Sequence, residues 1–209
     1  MTTYRQGQGY RIKSVTSDPD NSKVGQVWYN STELKLKGKL TVAAAWSSGG
    51  NLNSARHALT GFGTQTAGLA AGGQTTANNE EYNGTSWTEV NNLSSTRFYA
   101  GGAGSQTTAL IFGSYPNAAT TEEYDGTNWT SGGDLNTGRS SLNGAGTSTA
   151  GLAFGGNADP PITADSEEYN GSSWTEGNNL NTARQAMSGF GTQTAALAAA
   201  GATSTGQVA

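Results

Sequence analysis

The chain has 209 residues, 33% hydrophobic and only 12% charged, with a formal net charge of -4. Eleven Lys and Arg, nowhere gathered into a basic stripe, exclude the footprint of a nucleic-acid-binding domain. The absence of cysteine excludes disulfides and thiolate metal sites.

The opening, MTTYRQGQGYRIKSV, lacks the apolar core of a signal peptide, and no later run approaches the length of a membrane span. Synthesis in a cytoplasm without membrane insertion is expected. Residues 1–24 read as an attachment or irregular segment. Asp18, Asp20 and Asn21 form an oxygen-rich cluster with no EF-hand loop after it, so it reads as a solvated turn. GQVWYNS from Gly25 and LTVAAAWSS from Leu40 read as strands.

From Trp46 onward the chain repeats itself. Trp46, Trp87, Trp129 and Trp174 lie 41, 42 and 45 residues apart. Leu52, Leu93, Leu135 and Leu180 are each followed four residues later by Arg56, Arg97, Arg139 and Arg184. A small-residue run closes on Gly73, Ser114, Gly156 and Gly201. EEYNGTSWTE, EEYDGTNWTS and EEYNGSSWTE then carry Tyr82, Tyr124 and Tyr169. Each unit parses into four short strands. In the first these are HALTGF, TAGLAAG, NEEY and WTEV. Asn83-Gly84, Asp125-Gly126 and Asn170-Gly171 mark the last hairpin of each unit. No long segment has a helical period. A four-stranded unit of about 42 residues, repeated, predicts an all-β propeller over residues 25–209, with units beginning near 46, 87, 129 and 174.

These residues resemble the kelch repeat. Its blade carries an Arg before the first strand, a glycine pair ending the second, a Glu-rich third strand with Tyr, and a Trp on the fourth. Arg56, Gly72-Gly73, Tyr82 and Trp87 match, as do Arg97, Gly113, Tyr124 and Trp129, and Arg139, Gly155-Gly156, Tyr169 and Trp174. The pair is broken at Ser114 and Ala200. The resemblance implies that Trp, Tyr and Arg are framework residues. A buried arginine needs carbonyl or carboxylate acceptors, for which Glu81, Glu123 and Glu168 are the candidates. The last unit stops after two strands, so residues 25–48 are expected to supply its outer pair and close four blades. Closure within one chain or between two chains both remain open, and so do monomer and homo-oligomer.

DPDNSKVGQVWYNSTELKLKGKL resembles a short module of bacteriophage tail fibres and other virion proteins, through Pro19, Gly25, Trp28, Tyr29, Asn30 and Ser31. The resemblance implies a non-enzymatic virion component associated with a tail or tail fibre, acting as a structural or receptor-binding head. Its partners would be other virion or tail proteins and a host surface protein or glycan. A cellular interaction adaptor and a sugar-binding propeller are the alternatives.

No catalytic constellation is found. His57 is the only histidine, no serine sits in a nucleophile elbow, and neighbouring Glu pairs on a strand point to opposite faces. No metal and no cofactor are expected. The loops between the small-residue run and EEY vary most between units, which makes them the candidate binding surface. Tyr115, Asp159, Pro160 and Pro161 stand out there.

Overall fold

In the computed structural model the described residues are 12–20, 26–39, 48–158, 161–204 and 206–207. Trp46, Asp159 and Pro160 lie outside them. The chain divides into two compact units, Met1–Ser48 and Gly49–Ala209. No helix is long and apolar enough to cross a membrane, and the described residues contain strands and turns only.

The first unit holds a three-stranded sheet of β1 (Lys13–Val15), β2 (Val27–Asn30) and β3 (Lys35–Gly38). β2 is the central strand, parallel to β1 and antiparallel to β3. Trp28 and Asn30 share its buried face, as alternation along a strand requires.

The second unit is a series of antiparallel meanders. The first comprises β4 (Thr60–Thr64), β5 (Ala67–Ala71), β6 (Asn79–Tyr82) and β7 (Trp87–Val90). The second comprises β8 (Gly101–Gly104), β9 (Ala109–Ser114), β10 (Ala118–Tyr124) and β11 (Trp129–Ser131). The third comprises β12 (Asn143–Gly146), β13 (Gly151–Phe154), β14 (Ser166–Tyr169) and β15 (Trp174–Glu176). A two-stranded sheet follows, β16 (Ser188–Thr192) and β17 (Ala195–Ala199), then a short hairpin, β18 (Ala202–Thr203) and β19 (Gly206–Gln207). β4 lies against β8, β8 against β12, and β12 against β16, so consecutive sheets pack through their first strands.

Local chemistry explains why the meanders repeat. At each last hairpin the side chain of Asn83, Asp125 or Asn170 accepts two backbone N–H groups, at 2.7 to 3.0 Å, and the next residue is a glycine at φ 91 to 93°. This Asx turn sets the strand direction. Directly beyond it Tyr82 pairs with Trp87, Tyr124 with Trp129 and Tyr169 with Trp174, with ring centroids 5.0, 4.9 and 4.9 Å apart. Gly72, Gly113 and Gly155 end the second strands at φ 66, 70 and 61°. A Cβ on any of them would lie 2.4 to 2.5 Å from the carbonyl oxygen of the next unit's arginine. The left-handed backbone and this close approach together demand glycine. Leu69, Leu110, Ile111 and Phe112 fill the spaces between sheets and are almost wholly buried.

Two expectations are corrected. The four-stranded units are present, but they form open sheets in series and not a closed propeller, and no comparable packing returns from β16 to β4. Of residues 25–48, expected to complete the last unit, the stretch 40–47 lies outside the described residues, and the described strands do not serve as that outer pair. β2 has β1 on one edge and β3 on the other, so both its edges are already hydrogen-bonded, and β17 pairs with β16 alone among the described residues. The tryptophans also differ in surroundings. Trp174 is buried, meets Phe112 edge-on at 4.8 Å and donates its Nε1–H to Thr121 Oγ1 at 3.0 Å. Trp87 is half-buried and donates to the Gly50 carbonyl at 3.0 Å, while Trp129 Nε1 is buried without an acceptor.

Truncating these rings should therefore have unequal effects. Trp174→Ala is expected to lower stability by about 3–5 kcal/mol, the usual cost of a deleted core ring, and Trp87→Ala by clearly less. Urea denaturation of both variants measures this, and equal losses would contradict the packing described.

Candidate functional site

Two places in the second unit gather charged or aromatic side chains: the arginine centres inside each meander, and the loop end of the second sheet. In the third meander Arg139 is completely buried. Its Nη2 donates to Glu167 Oε1 at 2.7 Å, and its Nη1 donates to the carbonyls of Gly155 at 3.2 Å and Asp165 at 2.7 Å. Glu167 Oε2 accepts the Asn136 backbone N–H at 2.7 Å and its side-chain amide at 2.9 Å. The second meander repeats this with Arg97 on Glu122 at 2.8 Å and on the carbonyls of Gly113 and Thr120, while Ser94 N–H donates to Glu122. The first is looser. Arg56 Nη2 lies 3.2 Å from Glu80 Oε1, and Asn53 holds Oε2 through both its N–H groups. One arginine thus ties the segment before the first strand to the ends of the second and third.

The carboxylate in these pairs is the first Glu of each EEY, not Glu81, Glu123 or Glu168 as expected. The second Glu points to the other face and serves the neighbouring sheet. Tyr124 Oη donates to Glu81 at 3.0 Å, and Tyr169 Oη donates to Glu123 in a very short hydrogen bond. Burial, reinforced by Glu123, pushes the Tyr169 hydroxyl up to about 12, and the same causes raise Tyr124. Burial also pushes the Arg139 guanidinium below its ordinary value while Glu167 pulls it back. A guanidinium stays protonated throughout. These centres are ionic joints in which each arginine Nε, and Nη1 of Arg56, is buried without an acceptor.

The loop end of the second sheet is different in kind. Phe98, Tyr99 and Tyr115 form a connected ring cluster, with Phe98 5.7 Å from Tyr99 and 5.4 Å from Tyr115. Tyr99 is 49% exposed and Tyr115 56%. The sister positions of Phe98-Tyr99 hold His57-Ala58, Ser140-Ser141 and Gln185-Ala186, so this is the one unit with rings there. The backbone beneath is tightly held. Tyr99 N–H donates to the Ala58 carbonyl at 3.0 Å, Ser141 N–H to the Tyr99 carbonyl at 2.7 Å, and Ala186 N–H to the Ser141 carbonyl at 2.8 Å. Ala58, Tyr99, Ser141 and Ala186 all sit at φ between 51 and 57°, so one backbone motif links all four units. Of the residues singled out from sequence, Tyr115 belongs to this cluster. Pro161 is exposed on the neighbouring loop, where its carbonyl accepts the Ala158 N–H at 3.2 Å. The two loops approach through Ser140, which donates to Asn117 Oδ1 at 2.9 Å and exchanges backbone bonds with Asn157. Sequence reasoning passed over Phe98 and Tyr99, although comparing the residues after each repeated arginine would have exposed them.

In the first unit Asp18 is no free turn residue. It accepts Lys37 Nζ at 2.6 Å, Asn30 Nδ2 at 2.9 Å and Trp28 Nε1 at 3.1 Å. Lys37 above all, then Asn30 and Trp28, lowers its carboxyl from 3.8 to about 2. Among the described residues no group of three or more His, Cys, Asp or Glu could hold a metal ion.

No protein-family model matches this chain, and comparison with curated proteins finds no match. The kelch and tail-fibre resemblances therefore have no support from homology. The virion role built on them, and the adaptor and sugar-binding alternatives built on a closed propeller, are withdrawn. Short Gly-, Thr- and Asn-rich β repeats can converge on a pattern of Arg, Gly, Tyr and Trp because the same joints are being made.

Two measurements follow. Arg139→Gln should destabilise the second unit by about 3–5 kcal/mol, because Glu167 would remain buried without its cation. Urea denaturation tests this, and a loss below about 1 kcal/mol would show the pair to be dispensable. Asp18 has its folded value depressed, so its contribution is fully present above the ordinary value and fades as pH falls towards about 2. A carbon-13 titration of the Asp18 carboxyl should show a midpoint near 2, moving upward in Lys37→Met.

Proposed function

We propose that this chain is a non-enzymatic binding module whose open series of sheets holds the Phe98–Tyr99–Tyr115 cluster against a partner protein. The observation that carries the reading is that cluster: two half-exposed tyrosines joined through Phe98, in one unit of a framework that otherwise repeats. Tyrosines on a held backbone offer large amphipathic contact area with little ordering cost. Hydrogen bonds to the units on both sides fix the Tyr99 backbone before any partner arrives. Pro116, exposed beside Tyr115, extends the apolar surface. The repeated arginines, first glutamates and tyrosines are already engaged in joints, which suits a scaffold better than a reaction centre.

Immobilised protein should retain a polypeptide from an extract of its source, and the Tyr99→Ser/Tyr115→Ser variant should lose more than tenfold of that retention. Two anchors of about 2 kcal/mol each would suffice for such a loss. Both proteins should unfold at the same urea concentration, since the rings are half in solvent. Equal retention by the two proteins, or no specific retention by the wild type, would overturn the reading.

A further inference from the structure

The chain writes Asn-Gly three times, at Asn83-Gly84, Asn143-Gly144 and Asn170-Gly171, and Asp-Gly once, at Asp125-Gly126. The structure divides these pairs into two kinds. Asn83, Asp125 and Asn170 open the last hairpin turn of their meanders, each followed by a glycine at φ 91 to 93°. Asn83 Oδ1 accepts the N–H groups of Thr85 and Ser86, each at 3.0 Å, and Asn170 Oδ1 those of Ser172 and Ser173, each at 3.0 Å. Asp125 Oδ1 accepts Thr127 and Asn128 in the same way, at 2.8 and 2.7 Å. In an amide only the oxygen accepts, so Nδ2 is the end left to solvent. Asn83 and Asn170 are exposed, and their Nδ2 atoms meet no acceptor among the described residues.

Asn143 is held differently. It lies in β12 opposite Phe154, its Nδ2 donates to the Met187 carbonyl at 2.7 Å, and the Gly144 N–H donates to Asn143 Oδ1 at 2.7 Å. Gly144 is buried. The difference matters for one reaction. An asparagine loses its amide when the nitrogen of the following residue attacks Cγ, and negative charge then gathers on Oδ1. At Asn83 and Asn170 two N–H groups already point at that oxygen, as the donors of an oxyanion hole do, and the leaving nitrogen faces solvent. At Asn143 the leaving nitrogen is tied, and the glycine N–H is directed at the oxygen.

We propose that Asn83 and Asn170 are self-modification sites, at which the turn converts its own amide into the acid that the second meander carries as Asp125. The Gly84 nitrogen gives up its proton and bonds to Asn83 Cγ. The bond from Cγ to Nδ2 breaks, and the amide takes up a proton and leaves as ammonia. One water then opens the cyclic imide, its hydroxyl going to Cγ and its proton to the Gly84 nitrogen. Asn170 and Gly171 react in the same way. The Asp125 turn shows that the product fits: its carboxylate accepts the same two N–H groups, and those of Asn128 first and Thr127 second hold it below the ordinary carboxylate value. Residues 49–209 hold twelve Asp and Glu and four Arg, so two conversions take that unit from a net charge of -8 to -10. This chemistry is separate from the aromatic cluster of the second sheet and stands or falls independently of it.

The test is to incubate the full chain at neutral pH and follow its tryptic fragments by mass spectrometry. Asn83 and Asn170 should each gain the mass of the acid, with loss of ammonia marking the cyclic imide on the way. Asn143 should stay at least tenfold behind in the folded chain and catch up when the chain is unfolded in urea. Both turn sites should react at least as fast as a peptide of residues 81–86, EYNGTS, which is too short to hold the turn. The rate should rise with pH, since the glycine nitrogen must lose its proton. Asp125→Asn should create a third site as reactive as its sisters, and the Asn83→Asp/Asn170→Asp variant should unfold at no lower urea concentration than the parent. Three outcomes would overturn the proposal: folded turns reacting more than tenfold slower than the peptide, Asn143 keeping pace with them in the folded chain, or an Asp125→Asn variant inert at that position.

Discussion

The three four-stranded meanders of the second unit each depend on burying an arginine beside a glutamate. Neither charge can be taken out of water alone, and together they remain costly unless the other donors and lone pairs are also matched. The second and third meanders solve this in one way. The guanidinium donates to one carboxylate oxygen and two carbonyls, and the other oxygen accepts the backbone N–H of the residue three before the arginine, joined in the third by that residue's amide. In the first, Arg56 reaches one carbonyl, that of Ala70, and its Nη1 has no acceptor. The partners come from three separate stretches of the unit. A unit cannot satisfy its arginine until its strands are in register, so the ion pair acts as a register lock more than as a source of net stability. Nε of Arg56, Arg97 and Arg139 remains without an acceptor, a residual cost repeated in all three.

The same short sequence then couples one unit to the next. Adjacent glutamates face opposite ways, so one serves its own sheet and the other its neighbour, while Tyr two or one residues on reaches back to the preceding sheet. Backbone bonds reinforce the coupling: Gly73, Ser114 and Gly156 N–H donate to the carbonyls of Arg97, Arg139 and Arg184. Glutamine adds a further tie at two of the joints, where Gln106 reaches Gly68 and Tyr82 and Gln193 reaches Gly151 and Tyr169. With so many polar ties per joint, a chain only 33% hydrophobic can hold its sheets together.

Much of this was legible in the residues. The strands, the Asx turns and the Tyr–Trp pairs follow from alternation and from Asn-Gly and Asp-Gly. The arginine's need for a carboxylate was also readable, but not which Glu of the pair would meet it, because that depends on which strand face turns towards the unit's own second strand. Closure failed as an inference for a similar reason. A Tyr-Asn step and a Trp do not reveal that Val27–Asn30 already has neighbours on both edges. Arg56, Gly72, Tyr82 and Trp87 described a joint, and a joint does not specify how many units follow or whether they return on themselves. Of the candidate surface, Tyr115 was visible as a residue without equivalents; Phe98 and Tyr99 join it only through the turn that brings the two segments together.

Ala200 carries a consequence for assembly. It holds the place taken by Gly72, Gly113 and Gly155, at the same left-handed φ of 57°. In the three glycine units a methyl there would strike the incoming arginine carbonyl at 2.4 to 2.5 Å. Ala200 bears that methyl, so an arginine carbonyl approaching as in the three glycine units would meet the same clash. Phe190 and Leu197 lie exposed on this hairpin. One carbon atom thus makes the seat beside β17 different in kind from the three glycine seats before it.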